Sequence, residues 1–306
     1  MVKENSKVYS VITDKIIELM DNGAVPWHMP WQKMSGQPQN LSTRIPYKGV
    51  NTFMLGVTQI YEGYNSPYWL SYKQIHKDYG AKIKDDQYKK YTPVIFSKPK
   101  SYTEDVKTKD EFGNDIIKKE ERIIWITRYY NVWNTDQCEG LEDKLPELTI
   151  EKHEHDPIKA CEKIFENMPN PPEIKHNGGR ACYSPSKDLI MLPEMAIFDS
   201  PETYYCTRFH ETGHATGHES RLNRSGIVEN HFFGDTDYSR EELVAEMTAA
   251  FLCGITGIDN KTINNSAAYI DNWKKKLRSD TKCVVIAAAQ AEKAADFILN
   301  RKKENN

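Results

Sequence analysis

The chain has 306 residues, 39% hydrophobic and 28% charged, enough apolar material to fill the cores of two ordinary domains. No apolar run reaches membrane length and the opening MVKENSKVYS lacks the layout of a secretion signal, so a cytoplasmic protein with no membrane partner is expected. The net charge of -3 hides a division, because residues 1–135 hold 20 Lys/Arg against 15 Asp/Glu, a net +5, and the rest carries -8.

Aromatic residues follow the same division: five of the six Trp and twelve of the seventeen Tyr lie in the basic first part, as expected of two domains with different partners. Six cysteines (Cys138, Cys161, Cys182, Cys206, Cys253, Cys283) show no CxxC spacing, which argues against a zinc knuckle or a disulfide framework and for reduced, buried thiols.

In chain order, Val8, Val11, Ile12, Ile16, Leu19 and Met20 recur at helical spacing before Asn22-Gly23, which predicts an opening amphipathic helix. A loop follows, VPWHMPWQK, in which Pro26 and Pro30 stiffen the backbone around Trp27 and Trp31. Thr92–Ser97 and Arg122–Tyr130, rich in β-branched and aromatic residues, predict a hairpin whose elaborated tip is a charged, mobile excursion from Pro99 to Glu121. The acidic stretch from Cys138 has no sustained period and carries Pro146, so the domain boundary is placed there. Beyond it, helices are predicted near 157–168, 201–216, 240–253, 266–278 and 281–301, with short strands near 181–184 and 189–192. The expected fold class is α+β: a mixed α/β domain over 1–137, a linker at 138–156, and a mainly helical domain with a small sheet over 157–306.

Within the helix near 201–216 stands His210-Glu211-Thr212-Gly213-His214. Side chains four apart share a helix face, so both imidazoles can reach one ion while Glu211 sits beside its open position as general base. The string alone is also met as two polar residues on an ordinary helix face, so a third ligand must be sought. His218 is eight residues past His210, roughly 12 Å along an unbroken helix, too far to share an ion with it unless Gly217 ends the helix first. The metzincin spacing HExxHxxGxxH fails as well, since Ser220 stands where its last His belongs. The next helix, YSREELVAEMTAAFLCG, carries Glu242 and Glu246 on one face, with small Ala245, Ala249 and Ala250 allowing close approach. Glu242 is the expected ligand and Glu246 the acid holding a ligand imidazole in its tautomer, with Glu241 and Glu246 as alternative ligands. A capping box formed by Ser239 and Glu242 would explain that acid without metal. Zinc suits a His2Glu donor set, and manganese or cobalt would fit it too. The strand from Asp188 to Pro193 reads as core, or else as an edge for an extended peptide.

The order PW..PW, YKGVN (Tyr47 to Asn51), WLSYKQ (Trp69 to Gln74), DLIMLP, FHETGHATGH, RLNR and EELVAE resembles the ArdC-like antirestriction proteins of plasmids and other mobile elements. The resemblance covers almost the whole chain apart from the insert Pro99–Glu121. It implies an N-terminal single-stranded DNA-binding domain, a C-terminal zincin-like metallopeptidase domain, and protection of incoming DNA from restriction.

Single strands are held by aromatic platforms and by basic groups along the phosphates. Candidates are Trp27, Trp31 and Lys33 in the stiff loop, then Tyr47, Lys48 and Asn51, then Trp69, Tyr72 and Lys73, and finally Arg128 and Tyr130. Each aromatic could equally be core. The leading expectation joins single-strand binding to peptidase action on an unknown protein substrate. Two others compete with it: a DNA-binding protein whose metal only staples helices, and an intracellular zinc protease whose aromatics recognise protein.

Overall fold

The computed structural model describes residues 2–28, 36–109, 115–146, 157–176, 179–228, 236–258 and 267–301. The fold is α+β. Helix α1 (Val2–Asp21) is followed by β1 (Gln39–Asn40), α2 (Val50–Glu62), β2 (Tyr68–Ser71), β3 (Lys82–Ile83), β4 (Thr92–Lys109), β5 (Asp115–Asn134) and β6 (Cys138–Glu139). The second half runs α3 (Pro157–Asn167), β7 (Glu173–His176), β8 (Cys182–Ser184), β9 (Leu189–Leu192), α4 (Pro201–Ala215), α5 (Ser225–Val228), α6 (Thr236–Thr256), α7 (Ala267–Ser279) and α8 (Cys283–Ile298).

Strands of the first half form a sheet in the order β1-β2-β5-β4, with β3 pairing β6 apart from it. The expected hairpin of β4 and β5 forms, with Val94 opposite Tyr130 and Phe96 opposite Arg128. Its excursion is corrected: from Pro99 to Lys109 and from Asp115 to Glu121 the backbone stays in the antiparallel ladder, making an arm rather than a charged loop. Thr103, Val106, Thr108, Ile116 and Ile117 favour extended backbone there, and a ribbon solvated on both faces accepts the charges between them. As the edge strand, β4 tolerates Pro93 and Pro99. The arm exposes Ile117 (67%), Ile123 (66%) and Trp125 (62%).

Helix α2 escapes the sequence reading because Val50 to Gln59 are all buried, leaving no polar face to reveal the period. Gly63 closes it in the left-handed conformation (φ 73). Asn51 in its first turn pins it to β4: the side-chain amide donates to Ile95 O (2.7 Å) and accepts from Ile95 N–H (2.9 Å).

In the second half, β9 lies between β7 and β8, so Asp188 to Pro193 contributes core rather than an edge, with Ile190 and Leu192 fully buried. Five of the six cysteines are buried, Cys182 is half-buried, and all are free thiols.

One core joins the halves. Ile12, Ile16, Met20, Trp27, Val50, Phe53 and Met54 pack with Leu243, Val244, Met247, Trp273, Leu277, Val284 and Ala287. A second core sets Phe165, Ile190, Leu192, Tyr205 and Phe209 against Ala249, Leu252, Cys253 and Ile298. Helix α6 contributes to both cores and is therefore central, with its apolar residues from Leu243 to Cys253 divided between them. Cys138 and Leu141, at the start of the expected linker, pack with Leu70 and Ile83. Among the described residues no helix is long and apolar enough to cross a membrane.

Replacing Asn51 by Ala removes both bonds to Ile95 and leaves part-buried backbone groups unpaired. A loss of about 1–3 kcal/mol is expected, and an unchanged urea midpoint would show that the amide does not pin α2 to β4.

Candidate metal centre and nucleic-acid surface

Helix α4 starts where Ser200 Oγ accepts the Thr203 N–H (3.3 Å), with Pro201 in the first turn. Its last two turns carry His210, Glu211 and His214. The two helices meet at Gly213: a Cβ there would stand 3.1 Å from Ala245 Cα and 3.3 Å from Thr248 Cβ. The small residues expected at Ala245, Ala249 and Ala250 are fully buried at or near this crossing.

Across that contact, His210 Nε2 and His214 Nε2 lie 3.2 Å apart. Glu242 places Oε2 3.7 Å from His210 Nε2 and Oε1 3.6 Å from His214 Nε2. Among the described residues these three form the one group whose ligand atoms converge, all within 4.8 Å of one another. Ligand atoms around a tetrahedral ion with bonds of about 2.1 Å stand about 3.4 Å apart, so the spacing suits a single zinc-sized ion. His218 takes no part: the chain turns at Gly217, whose N–H donates to His214 O (2.8 Å), and His218 Nδ1 lies 2.9 Å from Ser220 Oγ.

The electrostatics of the two imidazoles differ. Burial, with His214 adding to it, holds the His210 imidazole at a pKa of about 3, so it is neutral. For His214 burial pulls down, but contact with Glu241 and the charges of Glu242 and Glu211 outweigh it and leave the pKa raised. Glu211 is buried and its carboxyl pKa is raised, by burial first, with Glu242 adding, while His214, the Tyr183 N–H and Arg180 oppose. Tyr183 belongs to β8, so the sheet edge orients the expected general base.

The acid beside the His214 imidazole is Glu241, where Glu246 was expected. Glu241 Oε1 is 3.5 Å from His214 Nδ1, whereas Glu246 Oε2 accepts the Tyr269 hydroxyl (2.6 Å). One turn beyond Glu242, α6 has already moved past α4 toward α7. Glu241 is held by Arg224, whose Nε donates to Glu241 Oε2 (3.0 Å), Nη1 to Thr216 Oγ1 (2.6 Å) and Nη2 to Gly213 O (2.8 Å). Burial would raise the Glu241 pKa, but its hydrogen bonds with His214 and Arg224 outweigh this and lower it.

Known proteins match both halves. A family model for the N-terminal domain of anti-restriction factor ArdC matches residues 6–133, and one for a zincin-like metallopeptidase matches residues 159–290. The uncharacterized protein y4eC of Sinorhizobium fredii is 30% identical over 296 residues, 95% of this chain and 91% of that protein. The crystal structure of antirestriction ArdC from plasmid R388, metal-free, is similar with a TM-score of 0.66 and 32% identity over 95% of this chain and 96% of that one. This chain belongs to the ArdC-like antirestriction family. The Mn(II)-bound structure of the R388 protein matches with a TM-score of 0.67 and 29% identity, covering 98% and 99% of the two chains. Two Escherichia coli proteins named DNA primase TraC are 32% and 33% identical, and this chain spans 28% and 20% of their lengths.

In this member of the ArdC-like family, four of the expected DNA contacts are interior. Trp27 is fully buried, donates from Nε1 to Tyr269 Oη (3.3 Å) and meets Trp273 edge-on at 5.9 Å. Trp69 and Tyr47 pack with Leu55, Val94 and Val132, and Asn51 is spent on Ile95. Large aromatics fill cores as readily as they stack on bases, and burial decides between the two here. Lys48, Tyr72, Lys73 and Arg128 are exposed and Tyr130 is half-buried. Trp31 and Lys33 lie outside the described residues.

A surface not foreseen surrounds Tyr72. Tyr72, Tyr88 and Tyr91 are 47%, 53% and 43% exposed, and their rings gather about buried Trp133 at 6.3, 6.3 and 5.9 Å. The sequence Tyr88-Lys89-Lys90-Tyr91, with both lysines exposed, alternates stacking and basic groups, a signal available from the start.

Replacing Gly213 by Ala forces a methyl group against the α6 backbone. Stability is expected to fall by about 1–3 kcal/mol together with zinc affinity, and calorimetric titration showing native affinity would mean that α4 and α6 need not approach so closely.

Proposed function

We propose that this ArdC-like protein binds single-stranded DNA through its N-terminal part and hydrolyses peptide bonds at a zinc ion held by His210, His214 and Glu242. The carrying observation is the convergence of those three ligand atoms beside the buried carboxylate of Glu211. Manganese or cobalt would fit the same donors. In this reading residues 1–137 and 157–306 are functional halves joined by 138–156, acting in the cytoplasm on incoming DNA and on a protein substrate.

A bound zinc ion would polarise the scissile carbonyl and lower the pKa of water entering its open position. Glu211 takes the proton of the attacking water and returns it to the leaving amine. Burial, by weakening this acid, brings its pKa closer to neutrality, where both transfers are efficient. The Tyr183 N–H keeps the carboxylate oriented. β8, the outer strand of the order β7-β9-β8, supplies backbone against which an extended peptide can pair. Zincin sites with an open position need the glutamate next to the first histidine, whereas a purely stapling ion does not, which favours hydrolysis over a structural metal.

Purified protein is expected to hold one zinc per chain, lost in both His210→Ala and Glu242→Ala; retention in Glu242→Ala moves the third ligand elsewhere. Glu211→Gln should keep the metal and abolish peptide cleavage. If it also leaves DNA protection in cells intact, occupancy of DNA rather than proteolysis is the mechanism.

For nucleic acid, the exposed tyrosines support a stacking platform. Tyr88→Ala and Tyr91→Ala should each weaken oligonucleotide binding by about 1–3 kcal/mol, and affinity should fall steeply with salt. Fluorescence anisotropy giving native affinity in the double variant, or no salt dependence, points instead to a protein-recognition face.

A further inference from the structure

Arg224 and Glu241 are both nearly fully buried. Burying such a pair is costly unless its geometry satisfies every group, and this pair spends its donors in a particular direction. Arg224 bonds the carboxylate of Glu241 on α6, the Gly213 carbonyl inside the His210–His214 turn, and Thr216 just past it. The guanidinium thus ties the helix bearing both histidines to the helix bearing Glu242. Glu241 in turn stands 3.5 Å from Nδ1 of His214, on the side of the ring opposite the nitrogen that faces His210 and Glu242.

The turn after α4 is built to deliver this arginine. At Gly217 a Cβ would stand 2.5 Å from Ile227 Cγ1 and 3.0 Å from Arg224 Nη2, so any larger residue would have to displace Ile227 for the chain to fold back beneath α4. The Arg224 N–H donates to Gly217 O (2.9 Å) and closes the turn.

We propose that Arg224 and Glu241 are positioning residues for the metal site: Arg224 fixes the Glu241 carboxylate, which accepts the Nδ1–H of His214 and so commits Nε2 to the ion. The proposal rests on the zinc reading above. Neither residue touches metal or substrate. Arg224 acts through Glu241, and Glu241 acts through His214.

The test compares full-length wild type, Glu241→Gln, Arg224→Met and the double variant by zinc affinity in chelator competition. The cobalt(II) visible spectrum and the urea midpoint of the metal-free proteins are followed alongside. Partners that orient a ligating histidine typically carry about 10–100-fold in metal affinity, and a loss of that size is expected in each single variant, with a changed cobalt spectrum. The double variant removes both buried charges together and leaves none unpaired, so its fold is retained. Its zinc affinity should equal that of Glu241→Gln. Native zinc affinity in the double variant, single losses that multiply, or a lowered urea midpoint with unchanged affinity would each overturn the proposal. Failure of the zinc reading itself looks different, because wild type would then bind no zinc and His210→Ala would change nothing.

Discussion

The arrangement depends on how closely α4 and α6 approach. Two histidines on one helix offer only two donors, and the third atom must come from a neighbouring helix whose backbone lies nearly against the first. Gly213, inside the His210–His214 turn, and Ala245, one turn from Glu242, make this possible, with 3.1 Å between a hypothetical Gly213 Cβ and Ala245 Cα. Larger side chains at either position would hold the helices apart, because packed interiors have little slack to absorb even one methyl group. The motif is thus a packing motif as much as a chemical one: His210, His214 and Glu242 present the donors, and Gly213 sets the gap between them.

That division explains what could be read beforehand. His210, Glu211 and His214 are legible because a spacing of four is a helical turn, a local property of the chain. The convergence of Glu242 on them was legible because a following helix with small residues beside an acid is what a His2Glu site requires. The choice between Glu241 and Glu246 as the acid beside His214 was not, since it turns on the rotation of α6 about its own axis and on Arg224, seventeen residues before Glu241, reaching back. Neither is encoded in local spacing.

The first half shows the same limit from another side. Its hairpin was legible from β-branched residues, yet the described residues of the charged insert proved to be strand, because alternation of solvated side chains resembles a loop when only polarity is considered. Helix α2 was invisible for the opposite reason, being buried on all faces. Among aromatics, composition cannot tell a residue that packs from one that stacks. Trp27 and Trp69 lie inside, whereas Tyr72, Tyr88 and Tyr91 stand at the surface around Trp133. Large indoles repay burial more than tyrosines do, since a phenol keeps a polar end that is satisfied by water.

Two of the displaced expectations turn out to be connected. Trp27 had been read as a base-stacking residue and Glu246 as the acid behind a ligand imidazole. Instead the Trp27 indole donates to the Tyr269 hydroxyl, and that hydroxyl donates to Glu246. A chain of two hydrogen bonds therefore runs from the tryptophan loop of the first half to the carboxylate one turn beyond Glu242. The same helix meets Ile16 and Phe53 in a core cluster shared through Leu243 and Met247, and Phe209 of the helix carrying His210 and His214 in a second through Leu252 and Cys253. Because α6 is gripped on both sides, the proposed nucleic-acid half helps fix the rotation of the helix that presents Glu242, and the geometry of the candidate metal site is a property of the whole chain rather than of its C-terminal half alone.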